Sequence, residues 1–239
     1  MSTNLQPSSL EHPDEHQSEQ AAQPYPQSET RRVPSASTPA AAPSLRWRPV
    51  DIAVGAALGV VSGLIYWASS ALSSWIFPLM TALLPGLAGL LHGLFYFPVT
   101  LNLLIIRKPG AAVYTNLVAV LVELLFGNAY GSGMIVLEAL MQGLCAELVF
   151  GLFRYRRWTL GLTCAAGLLV ALVYNGFLLA FFYQGVSFFS PRGIIGTICE
   201  AISGIVLAGG LSWLLFKAIA QTGALDRFAS GRAVRASTE

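Results

Sequence analysis

From Ile52 to Ile106 the chain carries no Asp, Glu, Lys or Arg, and His92 is its one candidate charge. A soluble domain cannot keep so long a run dry, because each of its elements must present a wet face as well as a buried one. About 20 apolar residues cross the hydrocarbon of a bilayer, so this run is long enough for two passes. The chain is read as a multi-pass protein of the cell membrane. Every acid, amide and histidine within its apolar stretches has to be judged against lipid rather than water.

Composition agrees: 54% of residues are apolar and 11% charged, against about 25% charged in soluble domains. Residues 1–45 stand apart, rich in Pro, Ser, Gln and Glu and poor in large apolar side chains. Such a segment buries too little surface to offset ordering entropy and is expected to be a disordered cytoplasmic tail. It lacks the basic-then-apolar pattern of a signal peptide. His12 and His16 stand four apart in it, without a helix signal to put them on one face. Cys145, Cys164 and Cys199 all fall in apolar stretches without CxxC spacing. That excludes a disulfide framework or zinc site and leaves them as small packing hydrophobes.

Basic residues punctuate the remainder at Arg46 and Arg48, Arg107-Lys108, Arg154 to Arg157, and Lys217 onward. Turn signals sit between them: Pro78 and Pro85-Gly86, Gly127 to Gly131, and Ser190-Pro191-Arg192-Gly193. Cytoplasmic loops carry the Lys/Arg excess, and Arg192 alone falls on the other side. The expected fold is an all-α membrane protein, a six-transmembrane-helix bundle with both termini cytoplasmic. Expected spans are 50–72, 86–106, 111–127, 133–153, 158–183 and 194–217, within a domain of residues 46–220. A short basic tail, 221–239, follows. Segment 74–85 reads as a partial helix or cap on the outer side. Trp47, Trp75, Trp158 and Trp213 lie near expected helix ends, where interfacial aromatics belong.

The first helix carries two small-residue ladders, Gly55/Gly59/Gly63 and Ala53/Ala57, on separate faces. Small residues four apart let backbones approach closely. Two readings stand: both ladders pack within the bundle, or one of them is left for a partner protein.

Four glutamates fall inside the passes: Glu123, Glu138, Glu147 and Glu200. An intramembrane carboxylate is expensive, and by default it marks function. At about 1.5 Å of rise per residue, Glu123, Glu138 and Glu200 lie roughly 6 to 9 Å below the outer ends of their helices. Trp67, His92, Tyr174, Asn175 and Gln142 come within roughly 14 Å of those ends, whereas Glu147 lies near 21 Å. The polar residues thus converge on the outer half, as in a pocket open to the outside. Glu138 and Gln142 share a face, and Glu147 points about 180° away. It can contact a neighbouring helix or a partner, or satisfy backbone groups. Asn128 serves equally as a pocket residue or a left-handed C-cap, and His92 equally as a ligand contact or a locally satisfied side chain. Carboxylates among aromatic and amide groups suit a small cationic or amidine-like heterocycle.

No GxSxG, HExxH or GxxxxGK[ST] occurs, so neither a nucleophile elbow, a zinc protease nor a P-loop ATPase is indicated. No catalytic residue, metal site or cofactor is expected, and energy must come from a partner or an ion gradient.

Three blocks carry a family resemblance. They are Arg107 to Ala112, Leu121 to Asn128, and Gln142 to Phe150, with Ile202-Ser203-Gly204 and Thr222-Gly223 besides. Over about residues 50–225 the chain resembles the YkoE family. These are substrate-binding membrane subunits (S components) of energy-coupling factor (ECF) transporters, associated with thiamine and its hydroxymethylpyrimidine precursor. The resemblance implies a six-helix bundle with an outward-facing pocket. The bundle would dock on a transmembrane coupling subunit (T component) and two cytoplasmic ATPases, and topple to release its vitamin. It further implies that Glu123, Asn128, Gln142 and Glu147 match motif positions, with Tyr174 and Asn175 weaker matches. Ala53/Ala57 is similar to the motif that meets the coupling subunit. Glu138, Glu200 and Cys145 look like departures from the family pattern.

Two other classes are weighed against this. A cation-coupled secondary transporter of a small cationic metabolite should show inverted repeats and a helix broken at the midplane, and neither is evident. An intramembrane enzyme lacks its constellation.

Overall fold

The computed structural model describes residues 44–127 and 132–235, and among these every regular element is a helix. Helix α1 runs Pro49–Leu83; a 3₁₀ segment, Leu87–Phe95, leads into α2, Phe97–Ile106; α3 is Ala111–Phe126 and α4 Ser132–Leu152. Helix α5 is Leu160–Phe181. Then α6, Pro191–Ser203, passes through a π-helical stretch, Gly204–Leu211, into α7, Ser212–Gln221, and α8 is Ala229–Arg235. By length and hydropathy five of these runs can cross a bilayer: Pro49–Leu83, Leu87–Ile106, Gly133–Leu152, Leu160–Phe181 and Pro191–Gln221. The apolar Ala111–Phe126 is shorter.

Segment 74–85, expected as a partial helix or cap, is helical for most of its length, but as the continuation of α1, which runs unbroken past Pro78. Its start is fixed locally. Pro49 occupies the first turn, Asp51 Oδ2 accepts from Arg48 N at 2.9 Å, and the Arg48 guanidinium bonds Asp51 Oδ1 at 2.8 Å. Gly86, at φ +96°, then turns the chain into the 3₁₀ segment. The second expected span is therefore two helices of different pitch meeting at Tyr96, just ahead of Pro98. This is the central strut: Tyr96, Val99, Leu103 and Leu104 are wholly buried.

Small residues bring the backbones together. A Cβ on Gly63 would stand 2.4 Å from Ala119 O, and one on Gly59 would stand 2.6 Å from Val118 Cβ, so this ladder is the α1–α3 seam. Ala53 and Ala57 are exposed, which separates the two ladders that the sequence left open. Across the molecule Gly167 and Gly204 meet face to face, each seated against the other's carbonyl. Thr100 donates to Ala208 O, and Ser212 donates to Phe97 O at 2.8 Å, which ties the π-helical stretch to α2.

The basic loops gather at one end. Trp47 Nε1 donates to Pro109 O at 2.9 Å, Lys108 donates to Ser44 O, and Ser230 donates to Ile105 O at 2.7 Å. Both ends of the described chain therefore meet the end of α2 or the loop that follows it. The Arg107 guanidinium lies 5.0 Å from the Trp158 ring and 5.3 Å from Phe216, as a cation over aromatic faces. Residues after 221, read as a basic tail, include the buried Leu225 and Phe228 beside α8.

Candidate functional site

In the half of the bundle away from the basic loops lies a cavity of about 190 Å³. One water needs only about 10–15 Å³ on that measure, so the space is of ligand size. Late turns of α1, α3 and α5, the first turns of α4 and the 3₁₀ segment enclose it. Its polar wall comes from Glu123 on α3 with Glu138 and Gln142 on α4; Phe77, Phe95 and Tyr174 supply much of the aromatic wall.

A hydrogen-bond chain holds the polar wall. Tyr66 OH donates to Asn116 Oδ1 at 2.7 Å, and Asn116 Nδ2 donates to Ala139 O at 2.8 Å and Gln142 Oε1 at 3.3 Å. Gln142 Nε2 in turn donates to Glu138 Oε1 at 3.0 Å, and Tyr174 bonds Glu138 from α5. Each amide is oriented by its neighbour, so the carboxylate is held in place before any guest arrives. Buried polar groups satisfied in this way specify one arrangement.

Of the residues expected at the site, His92, Glu123, Glu138, Gln142 and Tyr174 line this cavity together. Asn175 and Glu200 line a smaller adjoining one of about 30 Å³, of which His92 forms a shared wall. Asn175 donates to Thr197 Oγ1 at 2.8 Å, while Glu200 pairs with His92 Nδ1 and accepts from Tyr96 OH at 3.0 Å. Trp67 is not among the lining residues; it is 40% exposed and stands 5.7 Å from Phe126, ring to ring. Asn128 falls outside the described residues.

Glu147 is not in the wall either. Its carboxylate accepts from Ala112 N at 2.8 Å and from Tyr155 OH. Of the options open to it, the structure takes neighbouring-helix and backbone satisfaction: it caps α3, whose first N–H groups have no partner within the helix. Burial first, and then the bond to Glu147, push the Tyr155 hydroxyl up from its ordinary value, so it stays a donor.

A family model described as "ABC-type cobalt transport system, permease component" matches residues 50–173. The chain belongs to that permease family. It is 28% identical over 195 residues to a Bacillus subtilis (strain 168) protein named as an HMP/thiamine permease, YkoE, covering 79% of this chain and 92% of the relative. A solved structure titled as an S-component of an ECF transporter matches with a TM-score of 0.72 at 26% identity, over 81% of this chain and 95% of that one. The resemblance to the YkoE S components is thereby met, and this permease is a multi-pass membrane protein.

Several lining residues of the permease escaped the sequence. Tyr66, Phe77, Phe182 and Tyr183 look like any lipid-facing aromatic until the helices are assembled. Asn116 carried a usable signal, since it lies seven residues before Glu123, two turns up the same face.

Proposed function

We propose that this permease is the substrate-binding membrane subunit of an ECF-type importer for thiamine or its hydroxymethylpyrimidine precursor. It passes its guest to a transmembrane coupling subunit driven by two cytoplasmic ATPases. Both chain termini and the basic loops face the cytoplasm, six passes cross the membrane, and the cavity opens outward. The observation that carries this reading is one cavity in which Glu123, Glu138 and Gln142 face aromatic rings. Carboxylates accept the N–H groups of an aminopyrimidine and balance the charge of a thiazolium, while the rings stack on either.

The exposed Ala53/Ala57 face, continued by exposed Ile52, Val61 and Leu64, fits a close helix–helix contact with the coupling subunit. Cobalt, the cargo in the family's description, gets no support from the side chains. Among the described residues no three His, Cys, Asp or Glu stand together as metal ligands. Calorimetry on the detergent-solubilised protein, without ATP, tests the reading. Binding of hydroxymethylpyrimidine or thiamine at micromolar affinity or tighter is expected, and no heat with either compound sinks it.

A further inference from the structure

His92 is 4% exposed, yet it forms part of the wall of both cavities. Its Nδ1 is held by Glu200 Oε1, and the other oxygen of that carboxylate accepts from Tyr96 OH at 3.0 Å. The rings of Phe77 and Tyr174 stand edge-on to the imidazole at 5.0 and 5.5 Å and fix its plane. Among the described residues no protein group bonds Nε2, the remaining polar atom of the ring. A polar atom on a cavity-lining side chain that lacks a protein partner is placed for a guest.

The partners of Glu200 decide which way that atom works. One Glu200 oxygen receives the tyrosine hydroxyl while the other faces Nδ1. With the carboxylate as acceptor at both, Nδ1 is the donor, and in a neutral imidazole the remaining nitrogen, Nε2, is then the acceptor. The cavity then presents acceptors from two sides, the α3–α4 carboxylates on one and His92 on the other.

We infer that His92 is a specificity-determining residue: its Nε2 accepts a hydrogen bond from an O–H or N–H substituent on the bound heterocycle. Glu200 is the positioning residue that keeps Nε2 an acceptor. The inference rests on the pyrimidine reading above and adds what the pocket selects within that class. An aminopyrimidine bearing a hydroxymethyl group offers donors to both sides at once. One bearing a methyl group there leaves Nε2 dry and unpaired.

The test is calorimetric titration of the purified full chain with three 4-amino-2-methylpyrimidines carrying hydroxymethyl, aminomethyl or methyl at C5. In the wild type the first two bind about tenfold tighter than the third, the usual worth of one hydrogen bond. In Glu200→Gln the Tyr96 hydroxyl donates to the amide oxygen and turns the amide N–H toward Nδ1, which moves the ring proton to Nε2. The protonated aminomethyl compound, a donor only, then loses about tenfold or more. The hydroxymethyl compound, which can also accept, loses less, and the methyl compound changes by less than about twofold. His92→Phe, which keeps the aromatic packing, abolishes the preference for hydroxymethyl over methyl and serves alone if the glutamine variant does not fold. Equal wild-type affinity for all three compounds overturns the inference, as does a common loss across the three in Glu200→Gln. If the wild type binds none of them, the pyrimidine reading itself falls, and this inference with it.

Discussion

Gln142 and Glu138 lie one turn apart on α4, and the amide of the first donates to the carboxylate of the second at 3.0 Å. Because Asn116 on α3 donates to the carbonyl oxygen of that same amide at 3.3 Å, the Gln142 N–H is aimed by a residue on another helix. Two helices thus share the task of presenting one acid to the cavity.

Replacing Glu138 by Gln keeps the shape of this wall and puts an amide N–H where an acceptor oxygen stood. Affinity for hydroxymethylpyrimidine is expected to fall about tenfold, the usual worth of one hydrogen bond. The melting temperature should stay within a few degrees. Calorimetry and thermal unfolding on the same preparation check both halves. Unchanged affinity would remove Glu138 from the site.

The helical class and the membrane setting were legible because the absence of charge over Ile52–Ile106 is a property of the chain alone. Helix phase likewise paired Glu138 with Gln142 and turned Glu147 away from them. What the sequence could not give was pitch and neighbourhood. A change from 3₁₀ to α at Tyr96 and a π-helical stretch after Ser203 rotate each face that follows. Glu200 also meets His92 and Tyr96 from a distant part of the chain, a contact that no local period encodes. The two ladders of α1 show the same limit. Periodicity separates the Gly face from the Ala face, but only the assembled bundle tells which one is covered.

That division predicts opposite outcomes on one helix. Gly63→Val places a branched side chain where even a Cβ would stand 2.4 Å from Ala119 O, so α1 must lift off α3. Overpacking of this kind costs about 1–3 kcal/mol. A lowered melting temperature, with binding lost in parallel, is the expected record.

Ala57→Leu, on the exposed face, should leave melting temperature and ligand affinity untouched while weakening assembly with the coupling subunit. Co-purification of the tagged transporter from membranes measures this directly. Loss of binding by the isolated subunit would place the alanine face inside the bundle instead.

Glu147 sits well away from the cavity, at the other end of α4 from Glu138, and its effect should be structural. Glu147→Ala removes the acceptor for Ala112 N and for Tyr155 OH and leaves the first of these donors buried. Such an orphan costs about 1–3 kcal/mol, so the variant should unfold several degrees lower. Glu147→Gln retains an acceptor oxygen for one of the two and should fall between the variant and the wild type. Hydroxymethylpyrimidine affinity, measured well below the melting temperature, should change by less than about twofold in both. A selective loss of affinity without a stability change would mean that the carboxylate reaches the guest after all, and that α4 turns on binding to bring it there.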